Sequence, residues 1–436
     1  MPPLDVESIR AKLAAVATVR ASGRVLAVTG LSLRIVLPGV RVGDVVIVRR
    51  RGGPLPCEIV GFEGGEAIGM ALGPLAGVGP DDEVEATGGP LEVRASPALV
   101  GRVVDGLGRP LDGGQPIDGV AVPVDASPPR SLARKPVELA MPTGVRVIDA
   151  LMTLGEGQRV GLFAGSGVGK STLLGAIARN VQADVVVVAL VGERGREVGE
   201  FLERSLGEAG RKKSVVVVAT SDVAALERLR AAQVATAYAE YFRDQGARVM
   251  LLVDSVTRFA RAQRELGLAA GEPPARRGYP PSVFAMLPRL LERGGQGEVG
   301  RGSVTALYTV LVEGGDMDEP IADEVRGILD GQVVLDRSIA ARARFPAVDV
   351  LHSLSRVMDS MVTPEHRADA RRLRQLVAAF ESRRDLVALG AYAKGSDKEL
   401  DEAIARMPRI EAFLSQAPGE TSSFAETCAG LSAVVR

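Results

Sequence analysis

The sequence predicts an α/β protein in three parts: a small N-terminal β-barrel, a central α/β domain with a mainly parallel sheet, and a C-terminal helical domain. Three patterns predict this. Short strand-like runs broken by Gly and Pro turns fill residues 22–87. Wholly apolar runs then alternate with helical segments. Beyond Pro364 the strand signal vanishes. The expected divisions are residues 21–90, 91–363 and 364–436, preceded by a short N-terminal segment, residues 1–20.

The barrel rests on the runs Gly23–Val28, Leu33–Leu37, Asp44–Val48, Glu58–Phe62, Glu66–Ala71 and Glu83–Ala86, with turns at Pro38–Gly39 and Gly52–Pro54. Closure would remove the unpaired edges such strands otherwise carry. Residues Asp105–Arg134, rich in Gly, Pro and Asp, read as a connector. In the central domain the apolar runs are Val160–Ala164, Val185–Val191, Val215–Ala219, Val249–Val253 and Thr305–Val312. Lys170–Asn180, Val223–Gln245 and Glu319–Leu329 lie between or after them as helices. Strands apolar on both faces belong to a parallel sheet covered on both sides. Glu365–Leu389 and Lys398–Ser415 read as helices of the end domain.

Composition narrows the function. The chain has 436 residues with 53 basic and 54 acidic side chains, so no net field draws it to nucleic acid or an anionic membrane. Aromatic residues are 3% of the chain and Trp is absent, which argues against base-stacking platforms. Cys57 and Cys428 lack metal-ligand spacing, and His352 and His366 are too few for a His-based metal site. No apolar run approaches the roughly 20 residues of a membrane span, and the N-terminus lacks signal-peptide character, so a cytoplasmic protein is expected.

The chemistry concentrates at Ala164–Ser171, which fits the phosphate-binding pattern G-x-x-x-x-G-K-[ST] with Ala164 at the first glycine. Gly165, Gly167 and Gly169, with Ser166 and Val168 between them, let backbone N–H groups turn toward an anion. The helix that follows, with Thr172 in its first turn, directs its unpaired N–H groups at the same phosphates. Lys170 neutralises phosphate charge, and the Ser171 hydroxyl is a magnesium ligand. Asp254, ending the apolar run Val249–Val253, supplies the carboxylate that a magnesium site needs. Glu193 follows the next apolar run; on the residues alone it is either the acid that orients an attacking water or part of a charged surface loop.

Together, the Gly165–Ser171 loop, Gly192–Glu197 and Val253–Phe259 resemble the rotary-type ATPase superfamily, whose members include the catalytic and non-catalytic subunits of F-type ATP synthase. Within it, Gly271–Ala285 and Leu290–Arg293 are similar to the type III secretion ATPases of the flagellar export apparatus and the injectisome. The resemblance implies a RecA-like core that hydrolyses ATP with Mg2+. It makes Glu193 the residue that activates water, Arg194 and Arg258 arginines near the γ-phosphate, and Glu197 an outer-shell carboxylate of the metal. Arg356 becomes an arginine finger reaching the neighbouring subunit's site. Phe345 and Phe424 become the two sides of the adenine pocket, although either residue alone reads equally well as core.

The same resemblance implies a homohexamer, because a finger acting in trans needs a head-to-tail interface that closes into a ring. It also implies a central coiled-coil stalk protein meeting the loop around Gly267–Gly278, a peripheral stator-like regulator holding residues 1–20, export substrates with their chaperones, and a membrane export gate. The place of work is then the cytoplasmic side of an inner-membrane secretion apparatus. Ala393–Leu400 stands where F-type catalytic subunits carry an acidic stretch, which argues for the secretion branch. The injectisome is favoured slightly over the flagellum. Two other classes compete: an RNA-stimulated ring helicase, disfavoured by the single aromatic, Phe62, in residues 22–87, and a non-catalytic scaffold subunit, disfavoured by Glu193.

Overall fold

The computed structural model describes residues 21–436; the proposed stator-binding segment, residues 1–20, lies outside them. Of the described residues, 21–92 form one compact unit and nearly all of the remainder a second. The first is a closed barrel of β1 (Ser22–Thr29), β2 (Ser32–Val36), β3 (Asp44–Arg50), β4 (Gly53–Glu63), β5 (Glu66–Ala71) and β6 (Glu83–Pro90), in the order β1-β2-β5-β4-β3-β6. All neighbours are antiparallel. Alternate residues such as Leu33 and Ile35 or Val46 and Val48 point inward and are fully buried, as the period of two requires. Cys57 lies in this core, where burial pushes its thiol far above the usual range.

In the second unit, β7 (Glu92–Ala95) pairs with β9 (Val120–Pro123), so the expected connector contains a strand. The main sheet includes β8 (Val103–Asp105), β10 (Arg159–Ala164), β11 (Val185–Glu193), β12 (Ser214–Thr220), β13 (Arg248–Asp254), β14 (Gly295–Gln296), β15 (Ser303–Leu311), β16 (Gly331–Leu335) and β17 (Leu354–Ser355). Its order is β17-β16-β10-β15-β13-β11-β12-β8, with β14 beside β15. The long strands are parallel, and only β14 and β17 run against them. β11 is buried along its whole length. That explains its Val-rich sequence, since a strand covered on both faces has no polar side.

The helices of the site are α1 (Arg146–Leu151), α2 (Lys170–Asn180), α3 (Gly195–Glu200), α4 (Gly207–Arg211), α5 (Ala225–Asp244) and α6 (Val256–Ala269). Next come α7 (Pro281–Leu291), α8 (Pro320–Ile328), α9 (Arg337–Ala341) and α10 (Met358–Met361). At the C-terminal end, α11 (Pro364–Ser382), α12 (Arg384–Ala388), α13 (Lys398–Leu414) and α14 (Phe424–Val435) complete the chain. α11, α13 and α14 pack on one another and on α1, and Leu373, Leu376, Ile410 and Leu431 share one apolar core with Ile148 and Leu151. Arg146 ties the two parts further: its Nε donates to Phe413 O at 3.1 Å, and its backbone N–H donates to Gln416 Oε1 at 2.8 Å.

Candidate active site

Parallel strands bring their C-terminal ends to one edge, where an open α/β sheet takes its ligands. Ala164 of β10, Glu193 of β11 and Asp254 of β13 all end there. The phosphate loop leaves β10 at this edge. Gly167 and Gly169 adopt φ of 78° and 86°, the left-handed region that glycine enters without strain. Gly169 is also the N-cap of α2, so the loop's backbone N–H groups and the unpaired amides of the helix share one concavity. Val168 is buried and anchors the loop, whereas Ser166, Gly167, Ser171 and Thr172 are exposed.

Lys170 reaches back over the sheet edge. Its Nζ pairs with Asp254 Oδ1 and lies 3.6 Å from Glu193 Oε1. Thr309 of β15 donates to the same Asp254 oxygen at 2.7 Å. Arg258, from the first turn of α6, donates to Glu193 Oε2 at 3.2 Å and to the carbonyl of Gly192. Glu193 is 8% exposed, and its Oε1 is buried without a hydrogen-bond partner among the described residues. Burial, the Asp254 carboxylate and a hydrogen bond to Glu197 push Glu193 up to about 7, against the opposing pull of Lys170 and Arg258. That hydrogen bond holds Glu197 down. A buried carboxylate with one oxygen held by Arg258 and the other near the Lys170 ammonium but without a hydrogen bond suits the task of holding a water molecule.

Oxygen donors from Ser171 and Asp254 suit Mg2+, which usually takes one or two protein ligands beside substrate phosphates and water. Glu197, partly exposed beside Glu193, occupies the margin of this arrangement. Arg194 is mostly exposed and pairs with Glu197 at 3.5 Å.

Beside the loop opens a cavity of about 370 Å³ lined by Gly167, Gly169, Thr172, Phe345, Gln416 and Pro418, among others. Phe345 is 42% exposed, and a Cβ built on Gly169 would lie 3.5 Å from its ring. An exposed aromatic beside a phosphate loop is placed to stack on a base. Phe424 is not. It packs against the shared core, with its ring 5.7 Å from that of His366, and takes no part in lining the cavity. The opposite wall comes from the Gln416–Glu420 turn, held by Gln416 N–H to Phe345 O at 2.8 Å and Gln416 Nε2 to Gly144 O at 2.8 Å. Phe424 is drawn into the core because it opens α14, a helix announced by the capping box of Ser423 and Glu426, the signal that sequence reasoning missed.

Two further residues come from outside the motifs. Thr309 carries no motif signal at all. Arg337, opening α9, donates to Ser166 Oγ at 3.3 Å, and its Nε would be 2.9 Å from a Cβ on Gly165. Arg356 is absent from the site of its own chain. Ser355 pairs with Gly331, whereas Leu335 at the other end of β16 pairs with Ala164. At about 3.3 Å per residue, that places Arg356 about 16 Å along the strand direction from the phosphate loop. Its side chain is exposed.

A phosphate loop on a parallel sheet, with a lysine, an aspartate and a buried glutamate converging at the strand ends, defines a P-loop nucleotide hydrolase. The ATP synthase alpha/beta family, nucleotide-binding domain, matches residues 144–355, and the T3SS EscN ATPase C-terminal domain matches residues 362–433. A type 3 secretion system ATPase of Xanthomonas euvesicatoria is 52% identical over 99% of this chain and 98% of its own. A flagellum-specific ATP synthase of Bacillus subtilis is 50% identical over 94% of each chain. The assembled ATPase EscN of the enteropathogenic E. coli type III secretion system superposes with a TM-score of 0.90 at 43% identity, covering 95% of this chain and all of that one. EscN in complex with its central stalk EscO gives a TM-score of 0.88 at the same identity and coverage. The chain belongs to the family of type III secretion and flagellar export ATPases. It is an ATP-binding hydrolase of protein transport, and no described helix is long and apolar enough to cross a membrane.

Proposed function

We propose that the chain works as a homohexameric ring that hydrolyses Mg-ATP to drive type III protein export, releasing substrates from their chaperones and unfolding them at a membrane gate. The observation that carries this is the division of the site: Lys170, Asp254 and Glu193 converge at one end of the sheet, while Arg356 lies exposed toward the other. A half-site of this kind is completed by a neighbour. Lys170 and the loop amides hold the phosphates, Ser171 and Asp254 hold Mg2+, and the ion supplies charge neutralisation at the β- and γ-oxygens. Glu193 orients the attacking water through Oε1, which has no hydrogen-bond partner among the described residues, with Arg258 fixing the carboxylate and Glu197 and Arg194 at the margin. Arg356 of one subunit stabilises the transferring phosphoryl group in the next, and Phe345 stacks on the adenine.

Similarity to the assembled EscN and to its complex with the central stalk EscO supports an oligomer that meets a central stalk protein. A peripheral stator-like regulator and the cytoplasmic face of the inner-membrane apparatus complete this reading. Of the two systems we favour the injectisome, in line with the Xanthomonas relative and the C-terminal match. ATPase activity per chain is expected to rise steeply with protein concentration as rings form. Activity independent of concentration in a stable monomer would overturn the reading. Loss of needle-dependent secretion on deleting the gene, with motility intact, tests the choice of system.

A further inference from the structure

If Arg356 serves a neighbouring site, something must hold it out at the correct place, since among the described residues its backbone N–H donates to Asp330 O at 2.9 Å and its exposed side chain has no ion pair. Strand β17, which presents it, is two residues long. Behind that strand lies Gln158, fully buried and immediately before β10. Its Nε2 donates to Asp330 O at 3.0 Å and to Ser355 Oγ at 2.9 Å. Its Oε1 accepts from Gly155 N–H at 2.9 Å. One side-chain amide therefore binds both residues that flank the Arg356 backbone, Ser355 by sequence and Asp330 by hydrogen bond. Gly331 permits this approach: a Cβ there would stand 2.6 Å from Leu354 O and 3.3 Å from Gln158 Nε2.

We propose that Gln158 is the positioning residue of the arginine finger, acting on the active site of the adjacent subunit rather than its own. This rests on the trans reading of Arg356. A buried amide with both N–H donors engaged and its oxygen accepting a backbone N–H allows its partners little latitude, and displacement of about 1 Å in a catalytic group can cost about 100-fold in rate. The competing role is support of its own phosphate loop, because β10 runs from Gln158 to Ala164. The two roles differ in which subunit suffers.

The test is complementation in mixed rings. Gln158→Leu is expected to lower kcat by about 10- to 100-fold, with KM for ATP changed less than about threefold. Each of Gln158→Leu and Arg356→Ala is co-assembled with Lys170→Ala, whose site is dead but whose finger is intact. Both mixtures are expected to regain activity to a similar degree, because the Lys170→Ala subunits supply ordered fingers. Recovery with Arg356→Ala but none with Gln158→Leu would overturn the proposal and assign Gln158 to its own site. No recovery in either mixture would instead reject the trans role of Arg356, and the proposal with it. Ser355→Ala, which leaves β10 and Gln158 unaltered, is the second variant should Gln158→Leu not fold. It should show the same rescue, with a smaller loss of kcat, and a wild-type kcat would count against the proposal.

Discussion

Arg258 donates a 3.2 Å hydrogen bond to Oε2 of Glu193, leaving the other carboxylate oxygen buried without a hydrogen-bond partner among the described residues. The contact fixes one oxygen of the carboxylate, and the other lies 3.6 Å from Lys170 Nζ of the phosphate loop, as the role proposed for Glu193 requires. Its titration follows from the same surroundings.

In the proposed role Glu193 must be ionised to accept from water, and it is pushed up to about 7, so kcat/KM should rise as pH climbs through that value. A pH–rate profile checks this against Glu193→Gln, whose residual rate should keep only the titration of the substrate. Stability has the opposite sign. A carboxyl raised in the folded state contributes stability below its unfolded value, and this is lost as pH rises through about 7. Glu193→Gln should therefore raise Tm at pH 8 relative to wild type and leave it little changed at pH 5.

Thr309 is fully buried and orients Asp254 through the oxygen that also pairs with Lys170. Thr309→Val keeps the volume and removes the donor. Stability should fall by about 1–3 kcal/mol, read from the urea midpoint. The Mg2+ concentration for half-maximal activity should rise about 10-fold, the usual effect of losing a residue that orients a metal ligand.

Phe345 and Phe424 should separate cleanly. Phe345→Ala removes a stacking face worth about 1–3 kcal/mol, so KM for ATP should rise about 5- to 150-fold with Tm nearly unchanged. Phe424→Ala should lower stability by about 1–3 kcal/mol through lost packing and leave KM alone. Steady-state kinetics and thermal melts on the two variants decide the assignment.

Much of this architecture is legible in the chain because its signals are local. The strand run Glu66–Ala71 occupies the expected residues, and the expected helix at Lys398–Ser415 ends one residue earlier, at Leu414. Pleat alternation and helical caps are written in neighbouring residues. The phosphate loop is legible for the same reason, since its strand, glycines and Lys170 are contiguous. What depends on long-range pairing is not. Thr309 meets Asp254 only because β15 lies beside β13, and Gln416 meets Phe345 only because the end helices fold back on α1. Phe424 shows the cost of assigning an aromatic by position alone: its side chain follows the buried stripe of its own helix.

Equilibrium binding of Mg-ATP to Glu193→Gln and to Glu193→Gln/Lys170→Ala, with phosphate release followed in parallel, addresses the phosphate loop and Glu193 together. Tight binding without turnover in the single variant, and affinity reduced at least about 10-fold in the double variant, is the predicted result. Equal affinity in both, or wild-type phosphate release from Glu193→Gln, would contradict a site built on these two side chains.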